Sequence, residues 1–251
     1  MIKRSARRVF ASTKREDCKL SEERIPAMMR RISDDKIDIR ASGMDYVNPK
    51  AKVVIVGITP GESQMEASRC GKSKKDIKRE NAFAGGMRKQ LVRMLDAIGV
   101  NRLLNIKTCD TLWSEDFDKV QMTSLLRDAT YYRGKMYRGK PSILGTPVLQ
   151  KALTDGFVKY DCCKCSEAKL YVALGPRVKE VLDWLKAEGK LVAPIVTIPH
   201  ASGSNGGRIA VFLGNRSPNG LDGSYQRAAE MRRDAENTMA KLLVLKGRCH
   251  A

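Results

Sequence analysis

The sequence predicts an α/β fold: a three-layer α/β/α sandwich around a four-stranded, mostly parallel central sheet. Three observations carry this. Short apolar runs closed by glycine or proline alternate with segments of helical period, the pattern of strand–helix units. The clearest run, Lys52-Val-Val-Ile-Val-Gly57, is β-branched from end to end, as strands covered on both faces are. The chain of 251 residues is 42% hydrophobic against 30% charged, which supplies one sizeable core and excludes wholesale disorder.

In chain order, residues 1–48 mix basic and acidic clusters around few apolar positions, with Pro26 and Gly43 as punctuation. They predict a basic N-terminal arm of short helices packed on an α/β domain spanning 49–251. Strand one is Lys52–Gly57. Residues 69–93 carry nine Lys/Arg against two Asp/Glu. A helix is expected from Met87 to Ile98, with Leu91, Met94, Leu95 and Ile98 on one face and Gly99 as its stop. Leu103–Thr108 reads as strand two. Residues 114–160 hold no long period but include Tyr131-Tyr-Arg-Gly-Lys-Met-Tyr-Arg138. Lys169–Leu174 is strand three, and Gly175-Pro176 opens a helix to Glu188, with proline suited to its first turn. Ala193–Ile198 is strand four, and a last helix covers Ser224–Leu245.

Charge narrows the function. With 47 basic and 28 acidic residues the chain carries +19, which suits a polyanionic partner, DNA above all. No apolar run approaches the length of a membrane span, and no leader opens the chain, so neither a membrane partner nor secretion is expected. Seven cysteines without a disulfide-like spacing read as thiols of a reducing, cytoplasmic compartment. A monomer is expected.

Ligands of open parallel sheets bind beyond the carboxyl ends of the strands. After strand one stands Gly57-Ile-Thr-Pro-Gly-Glu62. On strand two stands Asn105, then Thr108, Cys109 and Asp110. After strand four stands Pro199-His-Ala-Ser-Gly-Ser-Asn205, with His200 one of two histidines in the chain.

These segments resemble the uracil-DNA glycosylase superfamily. Gly57-Ile-Thr-Pro-Gly61 is similar to the first motif of its mismatch-specific branch. Asn81-Ala-Phe-Ala-Gly-Gly86 and the helix after it, Leu104-Asn-Ile-Lys-Thr-Cys109, and Val172-Ala-Leu-Gly175 are similar to segments of the thermophile-type branch. His200-Ala-Ser-Gly-Ser-Asn205 is similar to the second motif of the single-strand-selective branch. The resemblance covers about residues 50–112 and 168–210.

It implies a monofunctional DNA glycosylase that flips a base out of the stack and hydrolyses its glycosidic bond. Gly57, Ile58, Pro60 and Gly61 would line the base pocket, Phe83 would stack on the base, and Asn105 would read its edge. His200 would donate to the O2 oxygen as negative charge develops there. Ser202, Gly203, Ser204 and Asn205 would hold a DNA phosphate. From the charge runs, Lys74, Lys75, Arg133 and Arg138 are further candidate DNA contacts.

Departures from the pattern sharpen the expectation. Uracil-selective members place Asp where Thr59 stands; as a candidate catalytic residue its hydroxyl would orient water but is a poor base near pH 7. Glu62 and Asp110 remain to activate water, unless each is a surface carboxylate and the reaction is dissociative. Gly61 replaces a tyrosine that blocks the pyrimidine C5 face, so C5-substituted pyrimidines, including hypermodified cytosines of phage DNA, are expected over plain uracil. Thermophile-type relatives carry an iron–sulfur cluster. Here Cys18 lacks the usual paired cysteine; Cys18, Cys109 and two of Cys162, Cys163 and Cys165 could supply four ligands, or that trio could bind zinc, but free or buried thiols and no cofactor are expected. The alternatives are a uracil or mismatch repair glycosylase, a non-catalytic DNA-binding protein on the same fold, and a basic nucleotide-binding protein.

Overall fold

Alternation of Ile37 and Ile39 with Asp38 and Arg40 is the two-residue period of a half-buried strand, and at these positions it overrides the short helices predicted for the arm. The computed structural model describes residues 30–33, 36–67 and 72–248. It opens with strands β1 (Arg30–Ser33) and β2 (Ile37–Arg40), paired antiparallel. Ile37 and Ile39 are buried in the core. Of the predicted arm, residues 1–29 lie outside the described residues.

β3 (Val53–Gly57) is buried at every position, as its sequence requires. It is followed by α1 (Glu62–Ala67), α2 (Lys74–Asn81), α3 (Gly86–Ala97) and α4 (Val100–Leu104). Ser73 caps α2, its hydroxyl accepting from the Asp76 amide. A helix as short as α3 is marginal alone, so packing holds it. Leu91, Met94 and Leu95 are fully buried, each contributing roughly 1.5–3 kcal/mol. Gly99 ends α3 at φ +86°, where a side chain would be strained.

The predicted strand 103–108 does not form. Val100, Leu103 and Leu104 fall at i, i+3 and i+4, bury one helical face, and make α4 instead; Asn105 closes it in the left-handed region. The missing strand is β4 (Val120–Ser124). There Val120 and Met122 face the helices, while Gln121 turns to a buried polar group on the opposite face. β5 (Ala129–Tyr132) and β6 (Lys135–Met136) form a hairpin whose turn, Arg133-Gly134, has φ of 51° and 73°, the two-residue form that matches strand twist. Then come α5 (Pro147–Leu153), a π-helical turn at Thr154–Cys162, β7 (Leu170–Leu174), α6 (Pro176–Ala187), β8 (Ile195–Ile198), α7 (Gly206–Phe212) and α8 (Gly223–Arg248).

The central sheet has order β4-β3-β7-β8 with every pair parallel, between two helix-bearing cores. Val53 and Ile55 face the core shared with α3, α4, α7 and α8, while Val54 and Val56 face that shared with α5 and α6. This is the predicted three-layer sandwich. A second sheet, β1-β2-β5-β6, is antiparallel and flanks the second core. The chain leaves β3 toward β4 and returns to its other side as β7, which creates a topological switch at the β3/β7 carboxyl ends.

Candidate active site

A cavity of about 730 Å³ opens at that switch point. Each strand end contributes a wall: Gly57 to Gly61 after β3, Thr123 and Ser124 from β4, Leu174 to Arg177 around the end of β7, and His200 after β8.

The β3 loop is held rigidly. The parallel ladder runs past the strand, with the Leu125 and Leu126 amides donating to Gly57 O and Ile58 O, each at 2.9 Å. Thr59 Oγ1 donates to Asp128 O and accepts from the Thr130 amide, both at 3.0 Å. That hydroxyl ties the loop to β5, and its proton is already committed. Thr59 thus lines the cavity and braces its loop. The Gly61 amide donates to Gln64 Oε1 at 2.8 Å, and a Cβ added at Gly61 would meet nothing within 4 Å.

Phe83 follows the end of α2 at φ 51°, a conformation bulky residues rarely take. Trp113 Nε1 donates to Ala82 O at 2.8 Å and pins this turn. The ring lies against Gly57, where an added Cβ would sit 3.5 Å from Phe83 Cε1. A partly exposed aromatic ring thus faces the cavity beside the first motif.

His200 follows β8 between buried Pro199 and Ala201. Its Nδ1 accepts from the Ser202 amide at 3.3 Å, which leaves the proton on Nε2. Desolvation holds its pKa below the ordinary imidazole value, so the ring is neutral at pH 7 and still a donor. Ser202 and Ser204 line the cavity, their hydroxyls 3.0 Å apart. Asn205 donates to Ser202 Oγ and accepts from Arg208, so it braces the loop. Gly203 is exposed at the same turn.

The remaining predicted residues separate. Asn105 is exposed at the end of α4, with its Oδ1 bonded by Lys246, and does not line the cavity. Asp110 is exposed at the start of a 3₁₀ turn, also outside it. The structure does not bring either to the cavity, because the predicted strand 103–108 does not form and the segment ends α4 and leads into that turn. Glu62 stands in an adjoining groove with Arg133, Lys135, Arg138 and Lys140, all exposed. Arg133 and Arg138 therefore flank the mouth. Lys74 and Lys75 are exposed on the first turn of α2, and Lys74 pairs with Asp45 at 3.0 Å.

Sequence reasoning missed the cations of the cavity wall. Lys78, Arg127 and Arg177 line it with Arg138 and His200, and no carboxylate does. Lys78 sits inside the basic run 69–93, where it reads as surface; only its place beside Ile77 on the buried face of α2 hints otherwise. Burial pulls its ammonium down to about 8, with Asp161 the main opposing influence.

Cys109 packs in one core, whereas Cys165 and Cys162 pack in the other, across the central sheet. Burial pushes the Cys109 thiol far up and those of Cys162 and Cys165 up to about 12, which disfavours the thiolate a metal needs. Cys163 is exposed, and Cys18 lies outside the described residues. Among the described residues no cluster of three His, Cys, Asp or Glu could hold a metal ion, and no helix is long and apolar enough to cross a membrane.

No family model matches the chain. It is similar to the uncharacterized protein YoxB of Bacillus subtilis (strain 168), at 28% identity over 187 residues covering 68% of this chain and 73% of that protein.

Proposed function

We propose that the protein is a DNA glycosylase that flips out a C5-substituted pyrimidine and hydrolyses its glycosidic bond. The observation that carries this reading is the joint placement of Phe83, His200 and Gly61 around one cavity at the strand ends. Phe83 offers a stacking face, worth roughly 1–3 kcal/mol per base in single-strand recognition. The neutral His200 offers Nε2–H to the oxygen on which charge develops as the base departs. The open space at Gly61 admits a substituent at C5.

The chemistry follows from what the wall contains. Cations and a neutral donor stabilise a departing base anion. With no carboxylate in the lining and the Thr59 proton engaged, strong general-base activation of water has no group there. Glu62, at the groove beside the mouth, is the one carboxylate among the lining residues of the two depressions. This favours a dissociative reaction in which bond breaking leads and water follows. The exposed cations Arg133, Lys135, Arg138 and Lys140 beside the mouth suit a phosphate backbone, and DNA is the partner this reading assigns.

The test is incubation with oligonucleotides carrying uracil, a thymine mismatch, 5-hydroxymethylcytosine or its glucosylated form, followed by alkali to cut at abasic sites. Cleavage of a C5-substituted DNA at a rate at least equal to that of the uracil DNA supports the reading. DNA binding without any abasic product would favour the second reading, a non-catalytic DNA-binding protein, which the absence of a carboxylate from the cavity wall also fits.

A further inference from the structure

Resting on the glycosylase reading, we propose that Lys78 and Arg127 form a substituent-reading subsite on the cavity floor, donating to oxygen acceptors carried at C5 of the flipped pyrimidine. Both residues line the cavity, and both are buried, Lys78 at 1% exposure and Arg127 at 8%. Buried cations are costly unless every donor is met. Here they are not all met. The hydrogen bond that Lys78 makes goes to Tyr46 O, one acceptor for an ammonium with three donors. Arg127 spends Nη2 on Asp45 O. Its Nη1 is buried 3.2 Å from Asp161 Oδ2 but out of line, so neither atom makes a hydrogen bond. The other oxygen of Asp161 accepts from Gln121 at 2.6 Å.

One buried carboxylate, Asp161, stands beside the two cations; Asp45 also favours the Lys78 charge but is paired with Lys74, and the cavity lining adds no carboxylate. The floor is rich in donors and poor in acceptors. A bare pyrimidine leaves it so, because a cavity of about 730 Å³ matches sites for drug-sized ligands and exceeds what one ring fills. A substituent bearing hydroxyl or carboxylate oxygens would reach the floor and meet those donors. A methyl group would not. Sites built to hydrogen-bond a substrate group reject the analogue lacking it far more strongly than apolar pockets reject a size change.

The experiment measures affinity for non-cleavable 2′-fluoroarabino oligonucleotides carrying 5-methylcytosine, 5-carboxycytosine, 5-hydroxymethylcytosine or glucosylated 5-hydroxymethylcytosine. The full chain and its Lys78→Met and Lys78→Gln variants are compared, each first shown to melt cooperatively. Wild type should bind at least one oxygen-bearing base more than about tenfold tighter than 5-methylcytosine. Lys78→Met should erase that ratio. Lys78→Gln keeps a neutral donor, so it should retain a preference for hydroxyls and lose one for a carboxylate, which separates the two sources of acceptor. A wild-type ratio near one, or a ratio that survives Lys78→Met, overturns the subsite while leaving the glycosylase reading intact if abasic product still forms. Failure of wild type to bind any of the four DNAs, together with no abasic product from the cleavable oligonucleotides of the alkali assay, overturns the glycosylase reading itself.

Discussion

Lys78 gives a stability prediction that can be worked from the structure. The perturbation is Lys78→Met, which keeps the length of the side chain and removes the charge. Burial lowers the ammonium from 10.5 to about 8; Asp161 and Asp45 support its charge, and Arg127 opposes it. In the unfolded chain the ordinary value returns. Folding therefore releases a proton between pH 8 and 10.5, and the cost of burying the charge is fully present below pH 8. At about 1.4 kcal/mol per unit, that cost is about 3 kcal/mol. It fades as pH rises through the folded value and is gone above 10.5. The substitution leaves few broken bonds, since Tyr46 O still accepts from Gln121 Nε2 at 3.2 Å and Asp161 keeps Gln121 and Arg127. Urea unfolding of both proteins at pH 7 and pH 10.5 supplies the assay. Wild type should gain about 3 kcal/mol relative to Lys78→Met across that interval. The difference must be used, because burial raises the pKa of Tyr137 and Tyr171 and so destabilises both proteins in alkali. A gap independent of pH would show that Lys78 is not buried as a cation, and would refute the reasoning.

Three other outcomes are expected. Thr59→Val should cost about 1–3 kcal/mol in chemical denaturation, because the buried Thr130 amide loses its acceptor; full stability with lost turnover would return Thr59 to the chemistry. Replacing Arg133 and Arg138 together by Gln should flatten the log–log salt dependence of DNA binding by about 2, whereas Lys74→Gln, already paired to Asp45, should change it little. Gly61→Tyr meets open space, so it should fold normally and slow excision of bulky C5-substituted bases more than that of uracil, read from paired time courses.

Much of the fold is legible because its strongest signals are local. Val53–Val56 could only be a strand covered on both faces, and Gly99 and Pro176 punctuate helices where backbone geometry demands. The first motif, Phe83 and His200 converge as a parallel sheet requires, since each lies just past a strand or turn at the carboxyl edge. What stayed hidden depends on tertiary partners. β4 is interrupted by Gln121, whose burial makes sense only beside Asp161 and Asn48, far away in sequence. The run around Leu103 and Leu104 is too short for its period to separate strand from helix, and Asn105 and Asp110 were misplaced with it. Lys78 and Arg127 look like surface charge until α2 and the segment after β4 bring them to one floor.

The central claim is that His200 assists departure of a flipped pyrimidine. The most direct measurement is single-turnover release of base, counted as alkali-labile sites in a C5-substituted oligonucleotide, for wild type and His200→Ala across pH 5 to 9. Wild type should form abasic sites at a rate that is flat near neutral pH, falls below the ordinary imidazole range as protonation of His200 Nδ1 breaks its bond from the Ser202 amide, and falls again above about pH 8 as Lys78 loses its charge. His200→Ala should be slower by about 100- to 1000-fold with DNA affinity little changed. No abasic product from any base, or an alanine variant as fast as wild type, would contradict the account.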